Sequence, residues 1–258
     1  RVFYRDLWGL REAKYDFLNN TSFESIDWEE ITPLENMFYM YPRDASNEAT
    51  YSEGISLADL FRTYSMGITS GNVEAVYWGN ENDVNNVIES VRNGILPEGL
   101  KEYSGWTLEK ASADLRQGYA MTRCDFRPFD TKATAYTGRA GGWMQRPRAE
   151  TMGSMIDGNG LALVSTRLVQ KGEFHHAFVA SGLVEKGLLS GKDNAYAFPL
   201  WKKADGALFE EHTSNLNSEL CEQICEGAGL RYSELSENTA DCIGPLELFD
   251  YAYACLNS

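Results

Sequence analysis

The chain has 258 residues, with 23 Lys and Arg against 38 Asp and Glu, a formal net charge of -15 and 43% hydrophobic residues. That is enough apolar material for a core in one large domain or two small ones, which excludes wholesale disorder. A charge of -15 excludes uniform coating of nucleic acid, since phosphate binding needs Lys and Arg, but leaves room for a local basic face.

The start, Arg1-Val2-Phe3-Tyr4-Arg5-Asp6, carries neither a signal-peptide pattern nor an initiator Met, and reads as a chain cut from something longer. Tyr4, Leu7 and Trp8 fall at helical spacing, and a short helix is expected over about 10–18. Met37-Phe38-Tyr39-Met40-Tyr41-Pro42 reads as an aromatic strand stopped by its proline. Ser56 is suited to cap a helix carrying Leu57, Leu60, Phe61 and Tyr64, followed by a loop over 67–72. Val84, Val87, Ile88 and Val91 line one face of a second helix that starts after Asp83 and ends at Gly94. Strands are expected over 162–169, 176–184 and 195–201. Leu216, Leu220 and Ile224 mark a helix over about 216–226. Pro245 opens a last one with Leu246, Phe249, Tyr253 and Leu256 inward. No apolar run reaches the roughly 18 residues of a membrane helix. Helices and strands mix without regular alternation, which favours an α+β fold, here with mostly antiparallel sheets and flanking helices.

The charge is unevenly placed. Residues 116–171 hold nine Lys or Arg and four acids, a net +5, so the remainder carries -20. The last stretch, 205–258, sets eleven acids against Arg231. The basic middle includes Arg127-Pro128-Phe129-Asp130 and Gly141-Gly142-Trp143-Met144-Gln145-Arg146-Pro147-Arg148. An Arg fork reads guanine O6 and N7 or clamps a phosphate, and Gln145 and Asn159 are suited to adenine edges. Arg127 and Asp130 fit a structural salt bridge as well as a DNA contact. His175 and His176, on opposite faces of a strand, are placed to leave one inward and one outward; His176 can touch a phosphate or base.

Other chemistry has little behind it. There is no GxGxxG, Walker loop, HExxH or GxSxG, and no PD…(D/E)xK arrangement of a nuclease. The five cysteines (124, 221, 225, 242, 255) include no CxxC pair and read as buried free thiols in a reducing cytosol. No metal site is expected.

The same blocks carry a resemblance. Phe126-Arg127-Pro128-Phe129-Asp130 with Tyr136-Thr137 resembles the "YRPFD…YYT" block of Type ISP restriction-modification enzymes. Arg146-Pro147-Arg148 with Met152, Asn159-Gly160-Leu161 and Ser165-Thr166-Arg167 resembles its continuation. Phe174-His175-His176-Ala177-Phe178-Val179 and Tyr196-Ala197-Phe198-Pro199-Leu200 are similar to "H.FV" and "Y.FPLY". Asp59-Leu60-Phe61 with Gly67-Ile68-Thr69, and the end from Leu248 to Ser258, complete an ordered set over about 1–258. Phe126 in place of Tyr and Asn257 in place of His are mild departures.

The resemblance implies the target-recognition (specificity) region of an adenine-specific DNA methyltransferase, of the Type ISP or single-chain Type IIG kind. It implies no catalysis by this chain alone. S-adenosylmethionine would be used in a methyltransferase domain of the same polypeptide, whose NPPY motif is absent here. The expected organisation is one recognition region, 1–258, in two lobes, 1–115 and 116–258, in the bacterial cytoplasm, with double-stranded DNA as partner. The candidate DNA contacts are Arg127, Arg139, Gln145, Arg146, Arg148, Asn159, Arg167, Lys171 and His176. Two rival readings are a protein-interaction module, as in a phage-defence methyltransferase of the DISARM or BREX kind, and a hydrolase with an unrecognised site.

Overall fold

The apolar spacing around Val84 and the capping signal at Ser56 both lie in the larger of two units into which contacts divide the chain, Arg1–Gly54 and Ile55–Ser258. The structure is a computed structural model and describes residues 1–33, 38–42, 53–156, 160–170, 173–203, 212–235 and 241–258.

In the smaller unit, β1 (Val2–Tyr4) pairs antiparallel with β2 (Glu29–Ile31), and α1 (Arg11–Asn20) lies between them in sequence. None of its described residues is buried, and Trp8 is 82% exposed. Phe23 packs edge-on to Phe3 and against Trp28. Phe38–Pro42 forms no strand, against the expectation from its aromatics, and Met37 lies outside the described residues. The alternation there is continuous apolar rather than two-sided, so it specifies no sheet face.

In the larger unit, α2 (Leu57–Leu60) starts at Ser56, whose hydroxyl accepts from the Asp59 amide while the Asp59 carboxylate accepts from the Ser56 amide. It stops short of Tyr64. Phe61 turns extended and bridges Leu216, and the Arg62 amide donates to the Asn215 carbonyl at 2.8 Å. Tertiary pairing overrides the helical spacing there. Then come β3 (Ser65–Met66), α3 (Val73–Val76) and α4 (Glu81–Arg92). The cap of α4 is Asn80, and Val84, Val87, Ile88 and Val91 are buried as expected, each contributing roughly 1.5–3 kcal/mol.

Next are α5 (Leu108–Arg116), β4 (Ala120–Arg127), β5 (Asp130–Tyr136) and α6 (Ala149–Met152). They are followed by β6 (Ala162–Ser165), β7 (Phe178–Ala180), β8 (Leu183–Val184), β9 (Tyr196–Pro199), β10 (Trp201–Lys203) and β11 (His212–Ser214). The chain closes with α7 (Ser218–Gly227), β12 (Arg231–Tyr232), β13 (Cys242–Ile243) and α8 (Pro245–Leu256). Each of the three expected strands is shorter or split. Ser181-Gly182 separates β7 from β8 because the Asp125 carboxylate accepts from both amides at 3.1 Å. His175 and His176 precede β7 in a loop rather than lying in a strand; His175 is exposed and His176 faces inward.

The fold is α+β with mostly antiparallel sheets. β3-β9-β6-β7 form a four-stranded antiparallel sheet, and β5-β4-β8 a three-stranded one in which only β4 and β8 run parallel. The central strands of the four-stranded sheet, β6 and β9, are buried on both faces. Val164 and Ala197 belong to a core with α4, Trp106 and Trp143, while Leu163 and Phe198 belong to a second core with α7 and α8. Leu248 and Phe249 anchor α8 in that second core, but Leu246 is 45% exposed rather than inward. Pro245 sets the helix start, and Leu246 falls on its outer side. Cys124, Cys221 and Cys225 are buried free thiols; Cys242 is half-buried and Cys255 is exposed, so the expectation fails for the last.

Candidate nucleic-acid interface

Residues Ser65–Thr69 belong to both sheets. As β3 the segment pairs with β9; two residues on, the Ile68 amide donates to the Val184 carbonyl at 2.7 Å and the Lys186 amide to the Ile68 carbonyl at 3.0 Å. Gly67 permits this approach, because a Cβ there would lie 2.7 Å from the Val184 carbonyl oxygen. Thr69 then pairs antiparallel with Arg146 through bonds of 3.1 and 2.9 Å, and the Gln145 amide reaches the Ser70 carbonyl at 3.0 Å. The three-stranded sheet therefore continues through Ile68–Thr69 to Gln145–Arg146. Its register sets the end of β4 and Arg146 at one end of the sheet, three strand spacings or about 14 Å apart.

Loops gather at this end. Glu185 ties β4 to the turn after β8, accepting from Arg127 Nη1 at 2.9 Å. The Gln170 amide donates to Asp193 at 3.1 Å and its side chain to the Lys192 carbonyl at 3.1 Å, lacing the β6–β7 loop to the β8–β9 loop. Asp193 is held by the Ser190 hydroxyl at 2.9 Å, and His176 Nε2 stands 3.8 Å from it.

The sequence candidates stand in different surroundings. Arg139 is bonded within the fold. Its Nε donates to the buried Asp114 carboxylate at 2.6 Å, and Nη2 to the carbonyls of Asp114 and Gly118 at 2.7 and 2.6 Å. Asp114 also accepts from Thr137 Oγ1 and the Trp143 amide, both at 2.8 Å. Arg127 pairs with Glu185 rather than with Asp130, which pairs with Lys132 at 2.9 Å. The bulge between Asp125 and Arg127 turns the Arg127 side chain toward β8.

Arg146 is exposed and has no ion-pair partner among the described residues. Arg148 takes a left-handed backbone at φ 58°, and its buried Nε has no acceptor among the described residues. Between them the Pro147 carbonyl accepts from the Tyr136 hydroxyl at 3.2 Å; burial holds that phenol well above its ordinary pKa, so it stays a donor. Gln145 lies across Gly105, where a Cβ would meet its amide nitrogen at 2.6 Å. Arg167 is exposed, with its guanidinium 5.7 Å from the Tyr196 ring centroid. Asn159 and Lys171 lie outside the described residues.

Sequence reasoning missed two exposed residues of the β4–β5 hairpin. Arg123 is exposed midway along β4 beside buried Cys124, a period-two alternation visible in Thr122–Asp125 once that stretch is read as a strand. Phe129, in the β4–β5 turn, is 100% exposed. Among the described residues, no three His, Cys, Asp or Glu side chains converge as metal ligands would, and no helix is long and apolar enough to cross a membrane. A cleft of about 540 Å³ in Arg1–Gly54 is lined by Tyr4, Trp8 and Trp28 with three acids, and sets no nucleophile beside a base.

Solved structures share the fold, among them three with DNA or a DNA mimic. A cryo-electron microscopy structure of a DrdV–DNA complex matches at TM-score 0.60 and 18% identity over 95% of this chain and 25% of that one. The Type ISP restriction-modification enzyme LlaBIII bound to DNA matches at 0.58 and 16% over 90% and 16%. A nuclease-deletion mutant of the Type ISP enzyme LlaGI with a DNA substrate mimic matches at 0.54 and 18% over 88% and 20%. The chain thus spans a quarter or less of each. No curated protein sequence matches it. The model of the Type ISP C-terminal specificity domain matches residues 59–258, and the chain belongs to that family.

Proposed function

We propose that this chain reads the sequence of duplex DNA, as the specificity region of a restriction-modification enzyme that methylates adenine at N6. The carrying observation is the sheet end at Arg146, which with Arg148 stands without an acidic partner among the described residues, on a segment of net +5 in a chain that is otherwise -20. Such a distribution orients a polyanion toward one face and repels it from the rest. The three structures described above were determined with DNA or a DNA mimic, which supports the reading. Arg146, Arg148 and Arg167 supply guanidinium forks with no ion-pair partner among the described residues, Gln145 an amide, and His176 a half-buried imidazole, for phosphates and base edges. Lys171 and Asn159 belong to the same proposal by sequence. Arg127 and Arg139 support the surface from behind. The whole of 1–258 forms the recognition region. Methyl transfer, with S-adenosylmethionine, belongs to a methyltransferase domain of the same polypeptide in the bacterial cytoplasm.

Selection from a random duplex pool tests the reading. The chain is expected to enrich one short word, and adenine in that word to lose N6-methylation in cells when the gene is deleted. Absence of enrichment at low salt contradicts it.

A second reading has one observation in its favour. Residues 1–54 carry a net -6, bury none of their described residues and expose Trp8, Leu10, Leu18 and Phe23, which suits contact with protein rather than DNA.

A further inference from the structure

We propose that Phe129 is a base-contacting residue whose ring stacks on an opened base step of the duplex held by the sheet-end arginines; this inference rests on the DNA reading above. Two features make the position unusual. Phe129 adopts a left-handed backbone at φ 63°, which Gly or Asn adopts at lower cost. Its side chain is also 100% exposed, so the ring gains nothing from burial. The chain thus keeps a bulky apolar residue where both backbone and solvent disfavour it, and such outliers concentrate at functional contacts.

The ring is nevertheless held in place. The turn projects from a seven- and eight-residue strand pair and is clamped on either side by the Arg127–Glu185 and Lys132–Asp130 pairs. Phe178 stands edge-on with its centroid 6.2 Å away, enough to bias the ring without covering it. The neighbouring charges are neutralised in pairs, so the tip can approach a polyanion without net repulsion.

Position favours nucleic acid over a protein partner. The turn extends beyond Arg127, at the same end of the extended sheet as Arg146, and lies within the +5 segment. At about 14 Å between the two strand ends, one duplex can touch both. A flat ring on a rigid hairpin is suited to stack on a base or wedge into a step, a contact that is indifferent to charge.

The test is photo-crosslinking of the whole chain to a random-sequence duplex pool carrying 5-iodouracil in place of thymine, with the attached residue found by mass spectrometry. Cross-links are expected at Phe129. Phe129→Ala should abolish them, weaken duplex binding about tenfold and leave both the salt dependence and the melting temperature unchanged. Phe129→Trp should retain binding. Duplex binding by the unmodified chain, with no cross-link at Phe129 and equal affinity in Phe129→Ala, overturns this inference alone. Failure of the unmodified chain to bind any duplex at low salt overturns the DNA reading and this inference with it.

Discussion

Arg139 and Arg146 stand seven residues apart in one basic segment, and they do opposite things. Arg139 spends its donors on α5 and the residue after it: its side chain is 39% exposed, but the carboxylate it faces, Asp114, is 6% exposed and has two other groups bonded to it, the Thr137 hydroxyl and the Trp143 amide. Among the described residues Arg146 is held through its backbone, by Thr69, and its side chain is exposed. Positive charge in a sequence thus has two uses, neutralising a buried acid and, in the proposed reading of Arg146, facing a polyanion, and only the partner distinguishes them.

Substitutions should separate the two arginines. Arg139→Ala leaves Asp114 buried without its counter-ion and should cost about 3 kcal/mol in urea unfolding, with the salt slope of duplex binding unchanged. Gly142→Ala places a Cβ against Asp114 and should destabilise by about 1–3 kcal/mol in the same assay. Arg146→Ala should shift unfolding by no more than about 0.5 kcal/mol while weakening duplex binding. A destabilised Arg146→Ala, or a stable Arg139→Ala, would break the distinction.

The smallest expected effect lies in the second core. Burial pushes the Cys221 thiol from its ordinary 9.0 up to about 11. Folding therefore retains this proton. Its contribution is complete below about pH 9 and is lost as pH rises toward 11, so the urea midpoint should fall over that window. Cys221→Ser should flatten the fall. At neutral pH a thiol reagent should label exposed Cys255 first.

What could be read in advance follows range of interaction. Helix α4 was legible because Val84, Val87, Ile88 and Val91 carry its period and Gly94, at φ 74°, its stop. The β4–β5 hairpin was not. Its turn, Arg127-Pro128-Phe129-Asp130, lacks the Asn-Gly or Asp-Gly pair that announces such turns, and a Phe takes the left-handed position. The basic segment was legible as charge. Its division was not, because Arg139 finds Asp114 across 25 residues and Arg127 finds Glu185 across 58. Asp130, the local partner, is taken by Lys132.

The central claim is that the sheet end carrying Arg146 and Arg148 faces the phosphates and bases of DNA. Duplex affinity measured from low to moderate salt, for the unmodified chain and for Arg146→Ala with Arg148→Ala, tests it most directly. The slope of log K against log salt is predicted to fall by about 1.8 in the double variant, because two phosphates are no longer neutralised. An unchanged slope with unchanged affinity would contradict it.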